Sequence, residues 1–287
     1  PFPIMDLFTE HTHLLQATGT EFKPFPLSSI TKNDILLIID CQNDFFPAGT
    51  VEDGGRFGVA DGEKIVPVVV SLIDAFAAKH CTIVASRDCH TLHHCSFTTN
   101  GGTFPPHCVQ GTQGFKFHPV IAAKLMEAKK SGVNVIVGNK GFENNHECFS
   151  AFPYLDATGK ERFGPEFEES EWCDCYYMES ATEATCLDGE PDILAATSKK
   201  SIKALLKETI DQPDSRLFVC GLAFDFCVLD TAINAAEGTK KPVFVVHEAT
   251  RAAHIPGVGA YGSGFLSDPK EIAGKLLHHS VSMIDVN

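Results

Sequence analysis

Three residues that suit nucleophilic hydrolysis, Asp40, Lys140 and Cys227, each lie shortly after an apolar run of the chain. A carboxylate can act as a general base, and a nearby lysine lowers the pKa of a thiol. Cys227 also precedes a segment with helical spacing, so a helix dipole would stabilise its thiolate. Alone, each residue has an ordinary structural role as a loop cap, a surface charge or a small buried side chain. Together they predict a cysteine hydrolase, but these residue types do not name its substrate.

A second group of reactive side chains is concentrated between residues 88 and 107. Asp88 and His90 stand two positions apart, His93 and His94 follow, and His107 ends a Pro-Pro-His run. An aspartate and two histidines with open coordination positions suit a catalytic divalent metal such as zinc, iron or manganese. We therefore predict that this stretch binds a divalent metal.

Strand-like and helix-like segments alternate along the chain and would position these residues. Continuous apolar runs, expected of strands covered on both faces, are Ile35–Ile39, Thr82–Ala85, Val133–Val137, Leu217–Cys220 and Val243–Val246. Helical spacing of apolar residues occurs in Glu63–Lys79, Val120–Lys130 and Val228–Glu237. This order predicts a three-layer α/β fold, a doubly wound and mainly parallel sheet with helices on both faces. The reactive residues follow the strand-like runs, where the sites of such sheets form.

One long segment interrupts the alternation. Residues 153–212 contain no strand-like run, and within them Glu161–Asp192 holds eleven acidic residues against one basic residue. Helical spacing returns at Ile193–Leu206. Because structureless loops of this length are rare inside compact domains, we interpret 153–212 as an acidic insertion in one domain spanning 1–287. Residues 1–33 would form an N-terminal extension. A solvated acidic excursion without a role in the chemistry is the simplest explanation of the insertion.

The composition argues against some classes of partner. The net charge of -14, from 23 basic and 37 acidic residues, would repel nucleic-acid phosphates and anionic lipid surfaces. No apolar run reaches the roughly 18–20 residues of a membrane helix, and the first residues lack the pattern of a secretory signal. We predict a small-molecule ligand, no nucleic acid and no membrane. The oligomeric state stays open, with a homo-oligomer allowed.

The cysteines favour a reducing compartment. The chain has 11 of them, and Cys81 and Cys220 lie inside apolar runs, where cysteine behaves as a small buried hydrophobic residue. An odd number in a long chain does not resemble a secreted disulfide framework, so we predict a cytoplasmic location. Cys173, Cys175 and Cys186 fit no four-ligand zinc spacing, and we predict no second metal site there.

Five motifs, in this order, resemble the nicotinamidase branch of the isochorismatase-like hydrolases. They are Asp-x-Gln-Asn-Asp-Phe from Asp40, Arg-Asp-x-His around Asp88, Pro-Pro-His-Cys-x-x-Gly-Thr from Pro105, Lys-Gly-Phe from Lys140 with Phe-Ser-Ala-Phe from Phe149, and Gly-Leu-Ala-x-Asp-x-Cys ending at Cys227. The resemblance covers about residues 35–152 and 215–250. The spacing from Lys140 to Phe152 is more similar to fungal and eukaryotic members than to the short bacterial ones.

The resemblance implies a metal-dependent amidase that converts nicotinamide to nicotinic acid and ammonia in NAD salvage. Asp40 would take the thiol proton of Cys227 and later protonate the leaving ammonia, while Lys140 would hold both groups in one ionic cluster. Cys227 would form a thioester that water hydrolyses. The backbone N–H groups of Ala223 and Cys227 would form an oxyanion hole, in which one donor is worth roughly 3–4 kcal/mol. The peptide bond between Leu222 and Ala223 would be cis.

The resemblance also implies a ligand set for the metal. Asp88, His90 and His107 would hold one divalent ion, with zinc expected first and iron or manganese as alternatives. Waters and the pyridine nitrogen of the substrate would complete its coordination. His94 would lie beside the ligands without being one of them.

Three phenylalanines, Phe45, Phe104 and Phe149, would line the ring of the substrate. Phe104 stands where the family usually has tryptophan, and Phe149 stands where it often has tyrosine. Both changes keep an aromatic surface but remove a polar group. Cys89 replaces a residue that is often a bulky aromatic, and nothing in the sequence explains this change.

Other functions stay open on the sequence alone. A metal-free amidase of the same superfamily, acting on carbamoyl or ureido substrates, would need Asp40, Lys140 and Cys227 but no metal ligands. A non-catalytic scaffold relative would have no chemical reason to keep all three residues. A zinc hydrolase that uses metal-bound hydroxide would stay active without Cys227.

Overall fold

The computed structural model of the chain describes residues 6–155, 158, 176–178, 199–259, 261–262 and 264–286. The strands in these ranges are β1 (Phe22–Pro24), β2 (Ile35–Ile39), β3 (Thr82–Asp88), β4 (Val135–Lys140), β5 (Tyr176–Met178), β6 (Lys199–Ser201), β7 (Leu217–Leu222), β8 (Val243–Arg251) and β9 (Val281–Asp285). They form one sheet in the order β1-β9-β8-β7-β2-β3-β4-β5-β6. All neighbours are parallel except at β5 and β6, which pair antiparallel at one edge.

Helices of this part of the chain cover both faces of the sheet. They are α1 (Leu7–Ala17), α2 (Val66–Ala77), α3 (Pro119–Lys130), α4 (Ile202–Leu205), α5 (Lys207–Ile210), α6 (Leu229–Thr239) and α7 (Pro269–His278). Local sequence explains several starts. Asp6 caps α1 by accepting the N–H of Thr9, and Pro119 and Pro269 begin α3 and α7, where the missing N–H costs nothing.

Two apolar cores lie on opposite faces of the sheet, as the period of two along a strand requires. Leu36 and Ile38 of β2 face the core that contains the buried residues of α2 and α3. Ile35, Leu37 and Ile39 face the other core, which contains the buried residues of α6 and α7. Every residue of β2 is buried, which explains why its sequence is apolar without alternation.

The predicted doubly wound, mainly parallel fold is confirmed, and five strands and three helices lie where the apolar patterns indicated them. The predictions did not include α1, β1, α7 and β9, which are short or mostly polar.

The expectation that residues 153–212 contain no strand was wrong, because β5 and β6 are strands within this segment. Each has three residues and pairs at the sheet edge, so neither produces an apolar run. Of the predicted helix Ile193–Leu206, the structure describes 199–206 and begins a helix at Ile202. The single domain and its N-terminal extension stay predictions.

Most of the described cysteines form no disulfide bond. Seven belong to this group, and six of these are buried: Cys41, Cys81, Cys89, Cys108, Cys220 and Cys227. Cys95 is the partly exposed one, and Cys148 is disulfide-bonded. Within the described ranges, no helix combines the length and hydropathy needed to cross a membrane.

Candidate active site

The carboxyl ends of four neighbouring parallel strands bring the predicted residues to one edge of the sheet. Asp40 directly follows β2, Asp88 ends β3 and Lys140 ends β4. After β7 the chain forms a π-helical turn, Phe224–Val228, that contains Cys227 and leads into α6. Because these strands are adjacent and in register, residues far apart in sequence lie side by side.

Lys140 is the centre of this cluster and has no exposed surface. Its Nζ lies 2.8 Å from Oδ2 of Asp40 and 3.6 Å from Sγ of Cys227. It also donates to Oδ1 of Asp88 and, at 3.2 Å, to the carbonyl oxygen of Cys148. Sequence reasoning grouped Lys140 with Asp40 and Cys227. The structure adds Asp88, so the lysine also contacts the predicted metal ligand.

Burial and charge set the protonation states of these groups. Burial raises the pKa of Asp40 to about 6, although Lys140 opposes the shift. Burial acts the same way on Asp88, but Lys140, His90 and His107 together outweigh it and hold the pKa of that carboxyl well below its usual range. Burial raises the pKa of Cys227 well above the ordinary thiol value, again against Lys140. The resting pair at neutral pH is therefore a carboxylate, Asp40, beside a protonated thiol.

Polar side chains from β3 and from the segment after β2 hold Asp40 and the predicted metal ligands in position. Oγ of Ser86 donates to Oδ1 of Asp40 at 2.7 Å, which leaves the other carboxylate oxygen for Lys140. The side chain of Gln42 accepts from the N–H of Asp88 at 2.7 Å and donates to its carbonyl at 2.8 Å. Asp44 accepts the N–H of Cys108 at 2.8 Å, next to His107. The Asp-x-Gln-Asn-Asp run thus supplies one reactive group and two side chains that hold the metal ligands in place.

Asp88, His90 and His107 present ligand atoms that all lie within 4.8 Å of one another. Nδ1 of His90 contacts the carbonyl of Gly141 at 2.6 Å, and Nδ1 of His107 contacts that of Pro105 at 2.7 Å. These contacts orient both rings with Nε2 toward the cluster, as in metal-binding histidines. Nε2 of His90 is buried and has no hydrogen-bond partner. An unpaired buried nitrogen beside a carboxylate and a second imidazole fits a divalent metal.

Two of the nearby histidines are neutral, which a ligand imidazole must be. Burial lowers the pKa of His107 to about 4, and it does the same to His94. His90 differs, because burial is outweighed by the charge and hydrogen bonding of Asp88 together with Glu147 and the carbonyl of Gly141, which raise its pKa. His93, also in the histidine-rich stretch, is exposed.

Gly141 is required by its backbone and by the histidine beside it. Its φ of +65° lies in the left-handed region, and a Cβ there would come within 2.6 Å of Cε1 of His90. The glycine therefore lets the chain turn after Lys140 while the metal-site imidazole packs against its backbone.

Phenylalanines form the walls of the pocket above these groups. About 370 Å³ of space free of protein atoms lies between these walls, including the open mouth of the pocket. The three predicted ring-lining residues, Phe45, Phe104 and Phe149, all line it, and the other lining residues are Phe57, Asp88, His107, Glu147, Ala223, Phe226 and Cys227.

Sequence reasoning missed three of these lining residues. Phe57 and Phe226 complete the aromatic wall, with ring centroids 5.3 Å from Phe104 and 5.5 Å from Phe149 respectively. Phe226 is next to the predicted nucleophile in sequence, so its position could have been anticipated. Phe57 and Glu147 belong to loops without periodicity, and no sequence pattern indicates them.

The turn after β7 agrees with the expected geometry. The peptide bond between Leu222 and Ala223 is cis, as the motif resemblance implied. Ala223 and Cys227 are buried and both line the pocket, so backbone groups of this turn border the space above the thiol. The cysteines Cys173, Cys175 and Cys186, for which no second metal site was predicted, lie outside the described residues.

The arrangement brings a thiol, a carboxylate and a group of potential metal ligands together beside one aromatic pocket. A thiol lies beside a carboxylate that can take its proton, with a lysine between two carboxylates to balance the charge. A flat, uncharged ring fits the phenylalanine walls, and a ring nitrogen would find the metal-binding side. This is the chemistry of acyl transfer from an aromatic carboxamide or ester.

Known proteins resemble this chain in sequence and in fold. Residues 34–140 match the model of the Isochorismatase domain family. A nicotinamidase of Acinetobacter baylyi is 25% identical over 242 residues, which cover 78% of this chain and 84% of that relative. The pyrazinamidase of Pyrococcus horikoshii in complex with zinc has a TM-score of 0.53 at 22% identity, covering 88% of this chain and 99% of its own. PnC1 from L. infantum in complex with nicotinate has a TM-score of 0.56 at 24% identity, covering 91% and 96%. The two structures establish a common fold.

Proposed function

We propose that this chain is a nicotinamidase of the isochorismatase-like hydrolases, which hydrolyses nicotinamide to nicotinic acid and ammonia. The observation that carries the proposal is the single lysine, Lys140, in contact with Asp40, Asp88 and Cys227 below an aromatic pocket. A cysteine amidase needs the first and last of these contacts. The second contact, with Asp88, joins that machinery to a set of potential metal ligands suited to a pyridine nitrogen.

Related proteins support the choice of substrate. The relative in Acinetobacter baylyi is a nicotinamidase, and the L. infantum protein of the same fold binds nicotinate. The aromatic pocket supports the same choice, because nicotinamide is a flat, uncharged ring with one carboxamide and one ring nitrogen. The predicted closeness to fungal members stays a prediction.

The first half of the reaction forms a thioester. Asp40 accepts the proton of the Cys227 thiol, and the thiolate attacks the carboxamide carbon. Negative charge then develops on the carboxamide oxygen, which the N–H groups of Ala223 and Cys227 stabilise. Asp40 returns the proton to the nitrogen, the C–N bond breaks, and ammonia leaves. Throughout, Lys140 balances whichever of Asp40 and Cys227 is charged, which limits the cost of a buried anion.

The second half hydrolyses the thioester. Asp40, again a carboxylate, accepts a proton from a water molecule as the water attacks the acyl carbon. Asp40 then gives this proton to the sulfur as the C–S bond breaks. Nicotinic acid leaves, and the resting pair of carboxylate and thiol is restored. One carboxylate serves both halves, because its pKa of about 6 lets it accept and release a proton near neutral pH.

Asp88, His90 and His107 would hold one divalent metal, which we propose to be zinc. A metal held there would supply a Lewis-acid position for the ring nitrogen, and the carboxamide would then face Cys227. The zinc found with the P. horikoshii protein supports this choice.

We place the reaction in the salvage of NAD, because nicotinamide is released when the cofactor is consumed. A cytoplasmic location is part of the same proposal and is supported by the seven described cysteines that form no disulfide bond, against one, Cys148, that does. The proposed ligand is a small molecule, with no nucleic-acid or membrane partner, and a homo-oligomer is allowed.

The proposal is tested by ammonia release from nicotinamide. Purified wild-type protein and Cys227→Ala are each assayed with and without a strong chelator. We expect release by the wild type only, lost on chelation and restored by zinc, because both the thiol and the metal set are needed.

Each other outcome removes a specific part of the proposal. Activity of Cys227→Ala would favour a metal-bound hydroxide as nucleophile. Activity that survives chelation would favour a metal-free amidase. If the zinc-loaded wild type releases no ammonia, nicotinamide is excluded as the substrate. That result would favour carbamoyl or ureido substrates, or a scaffold role.

A further inference from the structure

A second pocket, here called the α1 pocket, borders the turn that carries Cys227. Its walls include Phe8 and His11 of α1, Phe224 at the start of the turn, Arg251 at the end of β8, and Phe265. About 340 Å³ of space free of protein atoms lies between its walls, including the mouth, against 370 Å³ in the catalytic pocket. None of the described residues that line one pocket lines the other. The chain therefore has two separate pockets of similar size, one on each side of the turn.

His11 contributes a buried nitrogen to the α1 pocket that makes no hydrogen bond. The residue is only 7% exposed, and its Nε2 has no partner. Burial, together with the nearby His247, lowers the pKa of His11 to about 4. The ring is therefore neutral at neutral pH, and Nε2 can present either a proton or a lone pair. Because nearly all buried polar atoms in proteins are paired, an unpaired one in the wall of a pocket indicates a ligand.

Arg251 contributes a second unpaired nitrogen to the same pocket. Its guanidinium lies over the ring of Phe8, with Cζ 4.1 Å from the ring centroid. Its Nη1 donates to the carbonyl oxygens of Glu248 at 3.1 Å and Thr250 at 2.6 Å. The Nε of Arg251 is buried and makes no hydrogen bond. Because the other contacts hold the guanidinium in place, this Nε–H is a fixed donor that lacks an acceptor.

The charges around Arg251 decide between an anionic and an uncharged ligand. Burial lowers the pKa of this guanidinium, and four carboxylates oppose the shift, those of Asp61, Asp6, Glu63 and Glu248. The positive charge of Arg251 is therefore already surrounded by negative charges. A carboxylate or phosphate in the pocket would be repelled by them, whereas an uncharged ligand only has to satisfy the two unpaired nitrogens.

Aromatic walls and two unpaired nitrogens together define the ligand. The ring centroid of His11 lies 4.7 Å from that of Phe265 and 5.7 Å from that of Phe224, and such walls suit a flat ring. We propose that the α1 pocket binds an uncharged aromatic carboxamide. Its carbonyl oxygen accepts from Nε of Arg251, and its amide group bonds to Nε2 of His11. A primary carboxamide offers an acceptor and two donors, which match one fixed donor and one neutral imidazole.

The α1 pocket lies against the strand ends that carry the nucleophile turn. Arg251 is opposite Leu222 in the sheet, and Oγ1 of Thr250 donates to the carbonyl oxygen of Gly221 at 2.7 Å. A ligand in this pocket would contact Phe224 of the turn, whereas Cys227 lines the other pocket. The site is thus a binding site distinct from the catalytic one, and it does not depend on the reaction proposed above. Nicotinamide belongs to the same ligand class, so one compound could occupy both pockets.

The test measures the Kd of benzamide by ligand-observed NMR, using the full chain with Cys227→Ala so that the probe is not hydrolysed. For so small a ligand we expect a Kd on the order of 1 mM. His11→Phe keeps an aromatic ring and Arg251→Lys keeps the charge, but each removes one unpaired nitrogen. Each should weaken binding about tenfold, because one buried hydrogen bond is lost. His13→Phe makes the same change at an exposed position of α1 and should leave the Kd within about twofold.

Two comparisons locate the probe and test its charge, with all proteins shown to be folded by circular dichroism. Phe149→Ala changes the catalytic pocket only, and benzoate carries the same ring with a negative charge. Benzamide binding that survives Phe149→Ala, with weaker binding of benzoate, would support the inference. Binding that is lost in Phe149→Ala but unchanged in His11→Phe would place the probe in the catalytic pocket and overturn it. Benzoate bound as tightly as benzamide, or no detectable binding of benzamide, would overturn it as well. None of these results depends on whether the wild type hydrolyses nicotinamide.

Discussion

The candidate site has an ionic half and a metal half, which differ in how their polar groups are paired. In the ionic half, Asp40, Lys140 and Cys227 contact one another, and the lysine is fully buried. In the metal half, Nδ1 of His90 and Nδ1 of His107 each contact a backbone carbonyl, and the buried Nε2 of His90 makes no hydrogen bond and lies 3.6 Å from Oδ2 of Asp88. The first half is closed by the 2.8 Å ion pair of Lys140 with Asp40, whereas the second leaves a ring nitrogen that a metal ion could use.

This difference indicates what each half contributes. Groups that neutralise one another in the folded chain stabilise the fold and store a proton for catalysis. A buried ring nitrogen that makes no hydrogen bond contributes little to folding and instead favours a ligand. Asp88 belongs to both halves, because its two carboxylate oxygens lie at Lys140 and at His90. Metal binding and the ionic cluster are therefore coupled through one side chain.

The largest effect is expected from Lys140→Met, which breaks the ionic half. Two buried carboxylates would lose their shared cation, so the free energy of unfolding should fall by about 3–5 kcal/mol, measured by urea titration of metal-free protein. kcat/KM for nicotinamide should fall by about 10³-fold or more, since the base and nucleophile lose their counter-ion. The control is Lys207→Met, which removes an exposed lysine paired with Asp211 and should change neither quantity much. A stable, active Lys140→Met protein would contradict the division into halves.

A smaller and different effect is expected from His107→Ala, which breaks the metal half. Zinc affinity should fall by at least about 10–100-fold and activity should fall with it, because one ligand is lost. The stability of the metal-free protein should change much less than in Lys140→Met, since the histidine neutralises no buried charge. Comparable loss of metal-free stability in the two variants would mean that the halves are not distinct.

The pH dependence of kcat/KM should be set by the ionic half of the site alone. Asp40 must be a carboxylate to take the thiol proton, and burial raises its pKa to about 6. Protonation as the pH falls through 6 removes the base, so kcat/KM should decline about tenfold per pH unit below 6 and level off above it. The measurement is a pH–rate profile with zinc held saturating, so that loss of metal at low pH is not mistaken for titration of Asp40. An acid limb near 4, the usual value for an aspartate, would show that burial does not control this group.

Much of the ionic half was accessible from the sequence, because each of its residues follows a strand that is apolar on both faces. Parallel strands must end at one edge, so Asp40, Lys140 and Cys227 could be placed together before any coordinates were known. The resemblance in five motifs then supplied the metal ligands and the cis peptide. The order of the strands was not accessible, because periodicity identifies strands but not their neighbours.

Other features depended on contacts that no pattern records. Lys140 contacts Asp88 as well as Asp40 because β3 lies beside β4 in register, with Asp88 opposite Lys140. Phe57 and Glu147 reach the pocket from loops whose course is set by packing, not by local propensity.

The sequence alone determined the chemistry of this protein, since a thiol, a carboxylate, a lysine and imidazoles at strand ends permit few reactions. It also determined the layered α/β fold, because uninterrupted apolar strands require cover on both faces. Tertiary structure decided how the charges are shared, which side chains line the pocket and which histidine nitrogen stays unpaired. These depend on distances of a few ångströms between segments that are far apart in the chain, and only the assembled sheet fixes such distances.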